Sequence, residues 1–146
     1  MFSVRKISQY ETTWIKSQDF YRLFSQLTKK CSLLSDTVFE EWFKQYTGNP
    51  NYNLFGVLQN ENVLVGIGVL WIETKYYNLG KVGHIEDIVI DKNFRHRNLG
   101  TQLIQFIQNY ANAKKCYKLL LHTTKKTGSF YKKLGFKYSV ALEMRF

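Results

Sequence analysis

Residues 88–121 combine four features in a fixed order: a short apolar strand, a basic loop, a long amphipathic helix and a second short strand. The loop runs from Arg95 to Thr101 and leads directly into the helix. Unpaired N–H groups and the positive end of the helix dipole lie at a helix start and attract anions. Gly100 allows a ligand close to the backbone, and Asn98 suits a positive φ. The sequence therefore favours an anion site here, with an ordinary turn before a basic helix as the alternative.

This loop contains neither of the two common glycine-rich nucleotide motifs. The GxxxxGK[ST] pattern of the P-loop is absent, and so is the GxGxxG pattern of dinucleotide-binding folds. Arg95 and Arg97 add positive charge that suits phosphate groups. The loop alone thus predicts phosphate binding without identifying the ligand.

The remaining sequence predicts a single mixed α/β domain over residues 1–146, because strand-like and helix-like hydrophobic periods follow one another without a linker or repeat. A Thr37–Glu40 capping box and Gly48 mark the two ends of the second helix. The predicted strands are 2–7, 52–58, 63–73, 82–90, 116–121 and 136–144, and the predicted helices are 14–27, 35–47, 99–114 and 127–134.

Composition excludes several classes of protein. Hydrophobic residues make up 45% and aromatic residues 16% of the chain, which argues against intrinsic disorder. The longest apolar run, residues 63–72, is too short to span a membrane, and residues 1–9 contain no apolar block typical of a secretory signal. Cys31 and Cys116 show no metal-ligand spacing, so we expect two reduced thiols in a cytoplasmic protein; a disulfide and a catalytic thiol are the alternatives. Three scattered histidines suggest no metal site.

Positive charge is concentrated in the last part of the chain. Residues 1–90 contain nine basic and nine acidic residues, whereas residues 91–146 contain twelve basic and two acidic ones, giving a net charge of +10. Such a field attracts polyanions, among them nucleic acid, an anionic membrane surface or a highly phosphorylated small molecule. A basic face that is simply solvated is the alternative.

Four motifs in sequence order make the interpretation more specific. They are GHIEDIVI at residues 83–90, R-x-x-N-x-G at 95–100, CYK at 116–118 and FY-x-x-x-GF at 130–136. In order and spacing they resemble the GNAT acetyltransferase superfamily, and within it the glucosamine 6-phosphate N-acetyltransferase family. Three positions depart from the family pattern: Asn98 replaces a loop glycine, His122 an aspartate and Thr127 an asparagine.

The resemblance implies a GNAT fold, a mixed and mostly antiparallel twisted sheet of about six to seven strands flanked by about four helices. It implies transfer of the acetyl group of acetyl-CoA to the amine of glucosamine 6-phosphate in a ternary complex, for UDP-N-acetylglucosamine synthesis. It also implies a homodimer with shared active sites and no metal. The resemblance implies that Ile88, Val89 and Ile90 contact the pantetheine arm of the cofactor. It implies that the pyrophosphate is held by Arg95 and by the backbone of His96, Arg97, Asn98, Leu99, Gly100 and Thr101. Tyr131 would lie near the thioester sulfur, and Thr127 is a further implied cofactor contact.

For the acceptor, the resemblance implies that Glu86 and Asp87 contact the sugar around its amine. Tyr117 and Lys118 match positions that bind the sugar phosphate. Thr28, Lys75 and Arg145 match further acceptor positions more loosely.

The chemistry of acyl transfer requires a neutral amine near the thioester carbonyl, a donor for the oxyanion and a proton source for the leaving thiolate. A backbone N–H near Ile88 is the implied oxyanion donor, and the Tyr131 phenol can protonate the thiolate. Plain strand alternation places Glu86 and Asp87 on opposite faces unless a bulge intervenes. His84 shares a face with Glu86, so it either relays a proton or makes a structural hydrogen bond.

Two other functions remain open from the residues. One is a GNAT enzyme acting on a peptide N-terminus or a polyamine, although these cationic acceptors would favour an acidic groove and not Lys75, Lys118 and Arg145. The other is a small basic nucleic-acid-binding domain with interleaved aromatic residues, for which no helix-turn-helix, RRM or KH signature is present. We therefore predict no nucleic-acid partner and no integral membrane segment.

Overall fold

A computed structural model describes all 146 residues. The strands are β1 (Phe2–Lys6), β2 (Tyr52–Gln59), β3 (Val63–Thr74), β4 (Lys81–Ile90) and β5 (Cys116–Leu121), and the helices are α1 (Ser17–Phe24), α2 (Asp36–Thr47), α3 (Leu99–Ala113) and α4 (Lys125–Lys133). A short 3-10 turn over Glu11–Thr13 precedes α1, which spans Ser17–Phe24 and is therefore shorter at both ends than the predicted helix 14–27. No helix is both long enough and apolar enough to cross a membrane.

The five strands form one sheet in the order β1-β2-β3-β4-β5. The first four are antiparallel neighbours, and β5 runs parallel to β4. A parallel neighbour needs a crossover, which α3 supplies between β4 and β5. The β2–β3 turn spans residues 60–62 and has positive φ angles at Asn60 (49°) and Glu61 (68°), the values that a type I′ turn has at its two central residues.

Helices cover both faces of the sheet. On one face α1 and α2 pack through Phe20, Leu23, Phe39 and Phe43 against inward residues of the strands, and on the other face α3 packs through Leu103, Ile104 and Ile107. Burial on both faces explains why β3 reads as a continuous apolar run instead of an alternating one.

Two helix starts differ in detail from the sequence prediction. Helix α2 is capped by the Ser35 side chain, which accepts a hydrogen bond from the Val38 N–H at 3.4 Å, so the predicted Thr37–Glu40 box is not the cap. Helix α4 begins two residues earlier than predicted and is capped by Thr124. Both caps are hydroxyl side chains, which satisfy a first-turn N–H that the helix itself leaves unpaired.

The predicted strand 136–144 is wrong for this chain. Residues 137–146 form no helix and pair with no strand, so the sheet has five strands and not six or seven. Their apolar side chains face solvent, with exposed fractions of 93% for Val140 and 97% for Leu142. Strand β5 is likewise more exposed than the buried strand predicted there, because its outer edge has no neighbour.

Candidate active site

A groove opens where β4 and β5 diverge. The parallel pairing runs from Lys81 opposite Cys116 to Ile85 opposite Leu121 and then stops, whereas β4 continues to Ile90. Backbone groups on the β5 side of residues 86–90 therefore have no strand partner. Residues 85–90, 94–96, 98–101 and 121–124 line the groove, together with Thr127, Phe130 and Tyr131. An extended ligand can pair with the open edge as an added strand would.

A β-bulge places the two acidic residues of β4. Glu86 lies opposite Val69 and Val89 opposite Ile67, so two residues of β4 face Gly68 alone. Asp87 adopts a φ of 53° at this bulge. Glu86 lines a polar cavity on one side and Asp87 an apolar cavity on the other, and both also line the groove. Glu86 and Asp87 therefore line different cavities, as the strand alternation predicted from the sequence implies. The bulge nevertheless brings both side chains to the groove.

The start of α3 forms one wall of the groove. Asn98 occupies the N-cap position with a φ of 61°, and its side chain makes no capping hydrogen bond. His96 also has a positive φ, of 62°. The first N–H groups of α3 thus lack a side-chain partner and sit beside Gly100, which lines the groove. This is the anion-binding geometry expected of the loop.

The two loop arginines have different surroundings. The Arg95 Nε donates to the Ile90 carbonyl at 3.1 Å, and Arg95 lines the groove. The Arg97 guanidinium instead lies over the rings of Phe2 at 6.0 Å and Phe94 at 5.7 Å, and Arg97 is absent from the groove lining. In this arrangement Arg97 does not line the groove, because its side chain lies against these two rings.

Tyr131 lies where the groove meets the polar cavity. Its ring packs edge-on against Phe130 at 4.9 Å and Phe136 at 5.8 Å, and its hydroxyl has no hydrogen-bond partner within the chain. Burial raises the pKa of this phenol, so it stays protonated and can donate. Nearby, the Thr127 hydroxyl lies 2.6 Å from that of Thr123, at the start of α4.

The polar cavity has a volume of about 1080 Å³ and contains the predicted acceptor residues Glu86 and Lys118, together with His84. His84 Nε2 lies 2.9 Å from Oε2 of Glu73, whose other oxygen accepts from Lys75 Nζ at 2.8 Å. The Lys75 and His84 contacts together lower the pKa of the Glu73 carboxyl. Lys75 is therefore connected to the cavity only through Glu73, which contacts His84. Glu73 was not predicted from the sequence, because its partner His84 lies on the neighbouring strand.

Tyr117 lies outside the cavities. Its hydroxyl is 2.7 Å from that of Tyr77, a bond that raises the pKa of the Tyr117 phenol. The Lys118 ammonium lies 5.6 Å from the Tyr117 ring centre, so Tyr117 flanks Lys118 without lining the cavity. At this distance the ring face attracts the ammonium through a cation–π interaction.

The last two predicted acceptor residues are not brought to the polar cavity. Thr28 lies in the loop after α1 and lines the apolar cavity with Asp87. Arg145 pairs with Glu143 in the exposed C-terminal segment and lines none of the three cavities of its own chain. No group of three or more His, Cys, Asp or Glu side chains is arranged to hold a metal ion.

Comparisons with known proteins agree with this geometry. The sequence profile of the acetyltransferase (GNAT) family matches residues 13–136. The chain is 31% identical over 137 residues to glucosamine 6-phosphate N-acetyltransferase of Arabidopsis thaliana, covering 92% of this chain and 89% of that protein, and 26% identical over 138 residues to the Candida albicans enzyme of the same name, covering 93% and 88%. The crystal structure of the Arabidopsis enzyme superposes with a TM-score of 0.87 at 26% identity, over 100% of this chain and 98% of that one.

These matches confirm the resemblance found in the four motifs and the fold class that it implied. The chain belongs to the GNAT family of acetyltransferases.

Proposed function

We propose that the protein transfers the acetyl group of acetyl-CoA to the amine of glucosamine 6-phosphate, giving N-acetylglucosamine 6-phosphate for UDP-N-acetylglucosamine synthesis. One observation carries the proposal: the polar cavity that contains Glu86 and Lys118 opens into the groove beside Tyr131. A phosphorylated amino sugar needs a cation for its phosphate and a carboxylate for its amine, within reach of one reactive centre. The names of the Arabidopsis and Candida relatives support the same acceptor.

The groove residues fit acetyl-CoA. The open edge of residues 86–90 offers N–H and C=O groups to an extended amide-containing arm, and the uncapped start of α3 offers N–H groups to a pyrophosphate. Acetyl-CoA supplies the activated acyl thioester when bound. Holding both reactants in one orientation contributes up to roughly 7–11 kcal/mol to such a reaction.

The side chains of this protein then have distinct tasks. Glu86 and Asp87 orient the acceptor amine and accept its proton. An N–H at the bulge near Ile88 stabilises the oxyanion, since the open edge leaves it without a strand partner. Tyr131 holds a proton at its hydroxyl for the leaving sulfur.

We further propose a cytoplasmic homodimer with shared active sites, in which the whole chain acts as one catalytic domain. The exposed apolar residues of segment 137–146 and the unpaired outer edge of β5 support association with a second copy. Arg145 lines no cavity of its own chain, so an acceptor contact by Arg145 requires the partner subunit. Cys31 and Cys116 are free thiols, which suits a reducing compartment.

The decisive experiment measures thiol release from acetyl-CoA with glucosamine 6-phosphate and with unphosphorylated glucosamine. Lys118→Ala should raise the Michaelis constant for the phosphorylated sugar by about 10- to 150-fold, because a charge-assisted hydrogen bond contributes about 1.5–3 kcal/mol. Lys126→Ala, an exposed lysine outside the cavities, is the matched control. Equal activity on both sugars would refute phosphate recognition, and turnover of a polyamine or peptide alone would assign another acceptor.

The dimer is tested separately by light scattering at working concentration. A monomer would exclude shared sites and leave the acetyl-CoA part of the proposal intact. A dimer that loses association when residues 137–146 are removed would support the C-terminal segment as part of the interface.

A further inference from the structure

The imidazole of His84, on β4, is held by two residues of the neighbouring strand β3. Its Nε2 lies 2.9 Å from Oε2 of Glu73, and its ring stacks on that of Trp71 with centroids 5.1 Å apart and an interplanar angle of 28°. Lys75 Nζ donates to the other oxygen of Glu73 at 2.8 Å, which in turn holds the carboxylate. The imidazole therefore has a defined plane and orientation at the wall of the polar cavity.

The contact with Glu73 determines which ring nitrogen carries a proton. The Lys75 and His84 contacts lower the pKa of the Glu73 carboxyl, so the group is ionised near neutral pH and can only accept hydrogen bonds. His84 Nε2 is therefore the donor in this contact. Nδ1 makes no hydrogen bond within the chain, and it is accessible, since the only buried side-chain N or O atom without a partner is Ser3 Oγ. One nitrogen of this histidine is thus bound by the protein, and the other is open to a ligand.

His84 lies midway between the two ends of the acceptor site. Glu86 is two residues further along β4, and Lys118 lies on β5 opposite Val82, two residues before His84. At about 3.3 Å per residue, the two ends are separated by about 13 Å along the strands. Glu86, His84 and Lys118 all line the polar cavity. A molecule with its amine at Glu86 and its phosphate at Lys118 therefore crosses the imidazole.

The middle of an amino sugar phosphate is the sugar ring with its hydroxyl groups. A hydroxyl both donates and accepts hydrogen bonds, whereas Nδ1 accepts in a neutral imidazole and donates in an imidazolium. A hydroxyl therefore matches Nδ1 of His84 in either protonation state. An alkyl chain at the same place would replace water and leave Nδ1 without a partner, which costs binding free energy.

We propose that His84 makes the site specific for a sugar: its Nδ1 hydrogen-bonds one ring hydroxyl of the acceptor, and Glu73 is the positioning residue that holds the imidazole for this contact. The proposal rests on the proposed function and deepens it, because it concerns the sugar ring and neither the amine nor the phosphate. The contact forms when the acceptor binds and is unchanged during acetyl transfer. It therefore contributes to the Michaelis constant of the acceptor and leaves kcat unchanged.

Calorimetry on CoA-saturated protein tests the contact with glucosamine 6-phosphate and its 1-deoxy, 3-deoxy and 4-deoxy analogues. One analogue should bind wild type about 2- to 12-fold more weakly than the parent sugar, because one neutral hydrogen bond is lost. His84→Phe keeps a ring beside Trp71 and should weaken the parent sugar by the same factor, with no further loss for that analogue. The proposal is overturned if every analogue is weakened as much in His84→Phe as in wild type, or if wild type distinguishes none of them.

An NMR measurement on wild type does not depend on how well the variant folds. The side-chain nitrogen resonances of His84 report the two ring nitrogens separately. The Nδ1 resonance should shift when the parent sugar saturates the protein and should not shift with the weakened analogue, while the Nε2–H bound to Glu73 is retained. Equal Nδ1 shifts with the parent and all three analogues would overturn the contact.

Glu73→Gln tests the positioning role by steady-state kinetics. An amide can donate as well as accept, so it no longer selects the tautomer with a proton on Nε2. The KM for glucosamine 6-phosphate should rise about 2- to 12-fold, while kcat and the KM for acetyl-CoA keep their wild-type values. Glu61→Gln, at an exposed residue of the β2–β3 turn that lines none of the three cavities, is the matched control. An unchanged KM for the sugar, or a loss confined to kcat, would overturn the positioning role.

Thiol release by wild type separates this proposal from the proposed function. Turnover of glucosamine 6-phosphate without any difference between wild type and His84→Phe toward the analogues would overturn the His84 contact alone. No turnover of glucosamine 6-phosphate by wild type would overturn both.

Discussion

Gly100 offers a substitution that separates ligand binding from folding. A Cβ built at Gly100 would lie 3.5 Å from Phe130 and 3.9 Å from Ile90, which is ordinary van der Waals contact. Both neighbours line the groove, so this Cβ points into the space where a ligand would sit. Gly100 is the second residue of α3, where glycine costs about 0.5–1 kcal/mol of stability relative to alanine.

Gly100→Ala should therefore have two effects of opposite sign. Ligand-free protein should gain up to about 1 kcal/mol, which raises the melting temperature by roughly 2–4 °C in a chain of this size. CoA binding should weaken by about 10- to 150-fold, if the methyl group displaces one charge-assisted hydrogen bond between the backbone and the pyrophosphate. Gly100→Val should weaken it further.

Thermal melting with and without ligand measures both effects in one assay. S-acetylpantetheine lacks the pyrophosphate and is the matched ligand. Because it makes no contact with the start of α3, its affinity for Gly100→Ala should stay within about threefold of its affinity for wild type. The reasoning is refuted if CoA stabilises folded Gly100→Ala as strongly as it stabilises wild type. A loss shared equally by the two ligands would instead place the obstruction at the pantetheine arm.

Two further substitutions test the neighbouring parts of the site. Tyr131→Phe should retain CoA affinity and lose about 10²- to 10⁴-fold in turnover, because general acid catalysis typically contributes that much. Steady-state rates at the wild-type level would show that the Tyr131 hydroxyl has no catalytic role. Asp91→Asn should lower the free energy of unfolding by about 1.5–3 kcal/mol, because the buried Asp91 carboxylate accepts from Arg22 and so ties α1 to the loop after β4. Urea denaturation measures this loss, and an unchanged midpoint would show that the ion pair contributes nothing.

Much of the fold follows from local pattern. The apolar period of 3.6 in α3 and the hairpin between β2 and β3 are properties of short segments, and the structure has both close to the predicted bounds. The start of α3 was predictable for the same reason, since Asn98 and Gly100 carry their conformational preferences in the sequence. Hydrophobic periodicity thus identifies helices and hairpins, whose interacting residues are close together in the sequence.

Segment 137–146 shows where such reasoning fails. Tyr138, Val140 and Leu142 alternate with other residues as strand residues do, yet no strand of the same chain lies beside them. Alternation reports that a segment suits a sheet, but it does not specify which chain supplies the neighbour. The contact between His84 and Glu73 could not be predicted for a related reason, because it depends on the register between β3 and β4.

Asp87 lies at the β4 bulge, and the pKa of its carboxyl affects the stability of the protein. Its apolar surroundings desolvate the carboxylate and raise its pKa above the ordinary value of 3.8. A raised folded-state pKa means that the folded protein holds this proton more tightly than the unfolded chain does. The stability contributed by this group is therefore fully present below about pH 3.8 and is lost as pH rises through the folded-state pKa.

Asp87→Asn should consequently raise the melting temperature of the ligand-free protein at pH 7 while it lowers acetyl transfer. Asparagine keeps the shape of the side chain and tolerates the φ of 53° at the bulge. The gain should be small, since the carboxylate remains in contact with solvent, and it should shrink as pH falls toward 3.8, where the wild-type carboxyl becomes protonated. Melting curves from pH 3 to pH 8 measure the difference. A variant that is less stable than wild type at pH 7 would mean that the ionised carboxylate stabilises the fold, and it would remove the argument that Asp87 is retained for binding an amine.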